Sequence, residues 1–122
     1  DTRFNIIFFH TQVKAWEKKL TRATRANQKK AIRFVRSTRP MGATNIYGAL
    51  KEAFRDREAD TIYLLSDGSP TAGEIVDPGE LAREVLSWNR VRRIVIHTIS
   101  LGTPSPLLQK LARETGGQYV RR

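Results

Sequence analysis

No cysteine occurs among the 122 residues. Disulfides, thiolate metal sites and cysteine nucleophiles are thereby excluded. No apolar run approaches the roughly 18 residues that a membrane-spanning helix needs. No positively charged segment followed by an apolar one opens the chain, so it carries no recognisable secretory signal. The chain begins at Asp1 rather than Met, which points to a piece of a longer or processed protein, so this absence says little about the parent. Histidine is scarce: His10 and His97 are the two. Neither sits beside a nucleophile motif, and Gly-x-Ser-x-Gly does not occur, so a triad hydrolase lacks its parts. His10 reads as a turn residue, and His97, inside an apolar run, as a hydrogen-bonded core residue.

Acids are scarce in the first third. Residues 1–40 hold 11 Lys/Arg and 2 acids, whereas residues 41–122 hold 11 and 10, within a net charge of +10. Such asymmetry suits a basic face that meets nucleic acid, an anionic surface or an acidic partner, or a helix face that is simply solvated. Single-strand binders stack bases on exposed aromatics, and no such platform or recognition motif is legible here. Nucleic acid is therefore the weaker partner.

What is present centres on residues 61–73. The apolar run Thr61–Leu65 stops at Ser66-Asp67-Gly68. A short β-branched and aromatic run bounded by Gly and Pro reads as a buried strand of a parallel sheet. In open α/β sheets ligands sit beyond the carboxyl ends of such strands, which makes Asp67 a candidate contact as well as an ordinary turn residue. Upstream, Arg3–His10 and Gln12–Trp16 read as an antiparallel hairpin. Its first strand is apolar on both faces, which predicts cover on both sides. Helical spacing predicts a helix over 22–37, with Ala23, Ala31, Phe34 and Val35 inward and Arg22, Arg25, Lys29, Arg33 and Arg36 in one basic stripe. A second helix is expected over 45–57, capped by Thr44 or Asn45, with Ile46, Ala49, Leu50, Ala53 and Phe54 inward. Asp77-Pro78-Gly79-Glu80 opens a third, near 79–90, with Leu81, Val85 and Trp88 as its buried stripe. A strand near 93–99, a helix near 105–115 ended by Gly116-Gly117 and a short strand at 118–120 complete the chain. Strands alternating with helices from residue 60 onward predict an α/β fold with a parallel sheet.

Four segments in this order and spacing carry a family resemblance: Gly42-Ala43-Thr44-Asn45 before a helix, Leu64-Leu65-Ser66-Asp67-Gly68 after a strand, Ile96–Gly102, and Leu107–Tyr119. Together they resemble the von Willebrand factor type A domain, in its bacterial form. The resemblance implies a doubly wound, Rossmann-like, mostly parallel sheet with an antiparallel edge, to which the hairpin at residues 3–16 corresponds. Residues 1–122 would make one partial domain of this type. The family's function implies a metal-ion-dependent adhesion site at the carboxyl edge, where Mg²⁺, or Mn²⁺ or Ca²⁺, takes a carboxylate from a protein ligand. Thr44 matches the family's Thr and Asp67 its last Asp. Gly42, Asn45, Ser66, Gly68 and Ser69 flank them as candidate ligand-binding residues, and Ala43 replaces a commoner Gly.

The Asp-x-Ser-x-Ser loop that the family carries on its first strand has no counterpart here. Asp67-Gly-Ser69-Pro-Thr71 has similar spacing but belongs to the Asp67 loop, and reads as turn chemistry. The two matched residues make an incomplete site, expected to hold no ion tightly. The family places the missing strand between the strand at Phe4 and that at Ile62. Each buried Val or Ile of such a strand contributes roughly 1.5–3 kcal/mol, a large share of the ~5–15 kcal/mol of an ordinary domain. The isolated chain is therefore expected to form homo-oligomers or exchange strands.

The function implied is a non-enzymatic protein-binding or adhesion module in a soluble protein of the bacterial cytoplasm or envelope. One alternative is a phosphotransfer or hydrolase enzyme using Asp67, although the second acid expected two residues on is Ser69. Another is nucleic-acid or anionic-surface binding through the basic helix 22–36.

Overall fold

The computed structural model describes residues 2–39, 42–67 and 69–122. Three strands, β5 (Thr61–Ser66), β6 (Val95–Ser100) and β7 (Tyr119–Arg121), form a parallel sheet in the order β5-β6-β7. Thr61 lies opposite Val95 and Thr98 opposite Tyr119. Helices α2 (Ile46–Arg55), α3 (Pro78–Arg92) and α4 (Pro106–Thr115) alternate with these strands. Together with a fourth helix, α1 (Arg25–Ser37), they make an α/β fold around a parallel sheet.

Local chemistry sets the helix ends. Asn45, Asp77 and Ser105 each accept, through the side chain, the N–H three residues on. Pro78 and Pro106 then sit at the first helical position, where no N–H is needed. Gly116 closes α4 in the left-handed conformation. Arg93 closes α3 in the same region at φ 55°, so β6 begins at Val95 rather than 93.

One face of the sheet carries the core. Leu64 and Ile96 pack with Ile46, Leu50 and Phe54 of α2, Leu81 and Val85 of α3, and Leu108 and Leu111 of α4. Thr98, wholly buried in the same layer, donates its hydroxyl to the Leu108 carbonyl at 2.8 Å. Trp88 is half-buried and lies between Tyr47 and Phe54, 5.5 Å from each ring. Side chains of a strand alternate between faces, so Tyr63 and Leu65 project from the other side, where they are 71% and 49% exposed. His97 stacks on Tyr63 at 4.9 Å there and accepts the Gln118 N–H through Nδ1. It is hydrogen-bonded as expected, but half-buried rather than in the core.

The N-terminal third forms separate antiparallel ribbons. β2 (Ile7–Phe9) pairs with β3 (Val13–Ala15), Phe8 opposite Lys14, which is the expected hairpin. The first strand is interrupted, however. β1 (Arg3–Phe4) pairs instead with β4 (Thr21–Arg22). The break falls at Asn5, whose Oδ1 accepts both the Ile6 and the Glu17 N–H. The same pairing shortens the basic helix: Thr21 and Arg22 are strand, and α1 starts at Arg25 behind the Thr24 cap. Residues 6–9 are half-buried rather than covered on both sides.

The reason is a slot. β5 is an edge strand of the parallel sheet, and β2 pairs only with β3 among the described residues. A cleft of about 1160 Å³ separates the two, lined by residues 2–10 on one side and 59–67 on the other. Asp60 and Ser66 give their carbonyls to Val95 and Leu101 of the β6 side. The alternation of a ladder turns Ile62 and Leu64 the same way, and turns the backbone groups of Thr61, Tyr63 and Leu65 toward the slot. The strand expected to be buried is therefore half-exposed, at the place where the resemblance puts a further strand.

Candidate functional site

The carboxyl end of β5 and the loop before α2 converge at one end of this cleft. Ser66 is buried, with its carbonyl held by the Leu101 N–H at 2.9 Å. Asp67 follows the strand end and is exposed, as is Ser69. Gly68 lies outside the described residues.

The loop 42–45 is held from two directions. From the hairpin, Thr11 Oγ1 accepts the Ala43 N–H at 3.0 Å, the Thr11 carbonyl accepts Asn45 Nδ2 at 3.2 Å, and the His10 carbonyl accepts the Asn45 N–H at 2.8 Å. From the Asp67 loop, Thr71 Oγ1 accepts the Thr44 N–H at 2.8 Å, while the Thr44 carbonyl accepts the Thr71 and Ala72 N–H groups at 2.9 and 3.2 Å. Two glycines allow this closeness. Gly42, at φ 74°, would set a Cβ 2.7 Å from Thr11 Oγ1, and Gly73, at φ 106°, one 2.2 Å from Asn45 Oδ1. A Cβ at either position would displace the Thr11 or Asn45 side chain that ties the loops together.

Gly42, Thr44, Ser66 and Asp67 all line the cleft, with His10 and Leu101 beside them. Asn45 and Ser69 do not. Asn45 instead spends its side chain capping α2 through the Gly48 N–H at 2.8 Å and binding Thr11. His10 is the turn residue expected: its Nδ1 accepts the Gln12 N–H at 3.3 Å. Sequence reasoning missed Thr11 and Thr71, the two hydroxyls that hold the Thr44 loop. The Asp67–Thr71 spacing is the visible signal for Thr71, whose hydroxyl serves the Thr44 loop rather than only its own turn.

Thr44 brings a hydroxyl and Asp67 a carboxylate to the lining of one cleft. Both are hard oxygen donors of the kind Mg²⁺ takes, but near-octahedral coordination needs six. No group of three or more His, Asp or Glu that could hold a metal occurs among the described residues. The residues present therefore fit part of such a site, not the whole of one.

A family model described as von Willebrand factor type A domain matches residues 1–121. The chain belongs to the von Willebrand factor type A family. It is similar to human von Willebrand factor A domain-containing protein 3B, 31% identical over 97% of the chain and 9% of that protein. Mouse inter alpha-trypsin inhibitor heavy chain 4 is 28% identical over 94% of the chain and 14% of its own length. The chain thus spans only about a tenth of the curated relatives it matches. Among solved structures, a von Willebrand factor type A protein from Catenulispora acidiphila superposes with a TM-score of 0.82 at 19% identity, over 98% of this chain and 29% of that one. This likeness concerns the fold. No described helix is long and apolar enough to cross a membrane.

Proposed function

We propose that this von Willebrand A chain is a non-enzymatic protein-binding module whose contact surface is the carboxyl edge of the sheet, with Thr44 and Asp67 as its metal-directed residues. The observation that carries the reading is the joining of their two loops: the Thr44 and Asp67 segments are hydrogen-bonded to each other and line one end of one cleft. In a complete site a divalent cation would supply an open coordination position for a carboxylate of the partner. The residues of this chain would contribute a hydroxyl from Thr44 and a charge from Asp67, and the positive end of α2 lies behind the Thr44 loop.

Two donors leave most of the coordination shell to water, and a net charge of +10 opposes cation capture. The 122 residues alone are expected to bind Mg²⁺ and Mn²⁺ only weakly. The same chain extended by an apolar strand ending in Asp-x-Ser-x-Ser is expected to bind Mn²⁺ at least tenfold more tightly, a difference of about 1.4 kcal/mol. Calorimetry on both forms decides the matter. Loss of that gain in Thr44→Ala and in Asp67→Asn supports the assignment, and a gain indifferent to both substitutions overturns it.

The slot between β2 and β5 belongs to the same reading. An open strand edge is a template for another strand, so the isolated chain is expected to associate with a second copy through it.

A further inference from the structure

The basic helix α1 takes no part in the Thr44–Asp67 edge. Its inward side is thin: Ala31 is the one fully buried residue and Phe34 is half-buried, with the Lys14 ammonium 5.8 Å above its ring. The outward side carries Arg25, Lys29, Arg33 and Arg36 at steps of three and four, which stack them along one face over about 16 Å. No acid occurs between Glu17 and Glu52, and among the described residues none of these four cations forms an ion pair. Like charges at this spacing repel, so the helix keeps a standing electrostatic cost that an anionic partner would remove. Beside the stripe, Ile32 and Val35 are 52% and 46% exposed.

We propose that this face docks an acidic amphipathic helix of a protein partner. Carboxylates spaced one turn apart on such a helix meet cations spaced one turn apart on α1, and its apolar flank covers Ile32 and Val35. The aliphatic pair is what selects this partner over a nucleic acid, which offers phosphates but little aliphatic surface; the exposed side of α1 also presents no aromatic ring for a base to stack on. A membrane-surface helix needs a broad apolar face, and here the largest apolar side chain, Phe34, is turned inward. The proposal is independent of the Thr44–Asp67 surface, and neither stands or falls with the other.

The test uses the whole protein and a synthetic helical peptide with glutamates at every fourth position and leucines along the adjacent flank. Controls are the same peptide with Glu→Gln, a duplex DNA, and phosphatidylserine vesicles. The expected result is binding of the acidic peptide at low salt, with amide resonance changes confined to α1 and its neighbours. Lys29→Glu combined with Arg33→Glu lowers that affinity roughly tenfold or more, and Ile32→Ser with Val35→Ser lowers it severalfold. All four positions are exposed, and circular dichroism of the variants checks that the fold persists. Equal binding of the Gln peptide, indifference to the charge reversals, or tighter binding of the duplex or the vesicles than of the acidic peptide would overturn the proposal.

Discussion

Thr71 and Thr44 hold each other by reciprocal hydrogen bonds: the Thr71 hydroxyl accepts the Thr44 N–H at 2.8 Å, and the Thr44 carbonyl accepts the Thr71 N–H at 2.9 Å. Thr71→Val removes the acceptor while keeping the shape. Because the pair is partly solvated, the expected loss of stability is modest, about 0.5–1.5 kcal/mol. The sharper readout is hydrogen exchange at the Thr44 amide, which should accelerate in the Val variant and recover in Thr71→Ser. Unchanged exchange in Thr71→Val would show that the loop is held by other contacts.

Gly73 and Gly102 share a positive φ but differ in surroundings. A Cβ on Gly73 meets Asn45 Oδ1, whereas one on Gly102 meets nothing within 4 Å. Gly102→Ala should cost only backbone strain, roughly 1–2 kcal/mol. Gly73→Ala should cost a further ~1 kcal/mol or more by displacing the Asn45 cap of α2. Chemical denaturation of the two variants side by side makes the comparison, and equal losses would show that Asn45 yields without penalty.

Arg92 ties α3 to the end of α2. Its guanidinium donates to the carbonyls of Phe54, Asp56 and Ala59 and lies 5.8 Å above the Phe54 ring. The two terminal nitrogens of the guanidinium reach acceptors set apart from one another, which the single nitrogen of an ammonium would have to serve from one point. Arg92→Ala is expected to cost about 2–4 kcal/mol and Arg92→Lys to restore less than half of it. A lysine variant as stable as the parent in thermal unfolding would refute the geometric argument.

The open edge of β5 makes a distinction between neighbouring residues. The Tyr63 N–H points to the slot, so Tyr63→Pro takes no bond from the β5–β6 ladder. Leu64→Pro removes a ladder bond and a buried side chain. Light scattering should show association of the isolated chain, with Tyr63→Pro shifting it toward monomer while helical content is kept. Leu64→Pro should unfold it. A parent chain that stays monomeric at high concentration would sink the slot-mediated association.

Much of this protein is written locally. Asp77-Pro78 and Ser105-Pro106 start α3 and α4, Gly116 ends α4, and the apolar runs at 61–66 and 95–100 become parallel strands, because caps, proline and side-chain period act over a few residues. Thr44 and Asp67 were legible as a pair only through their family resemblance, since nothing within either segment points to the other.

Tertiary structure decided the rest. Arg22 is strand rather than helix because Arg3 lies opposite it. Asn45 rather than Thr44 caps α2, with its N–H held by the His10 carbonyl from the hairpin and its Oδ1 accepting the Gly48 N–H. Tyr63 and Leu65, apolar like their neighbours, are exposed because β5 has a partner on one edge and helices on one face. An apolar run specifies that a strand forms; which of its edges and faces are covered depends on long-range neighbours that the run itself does not encode.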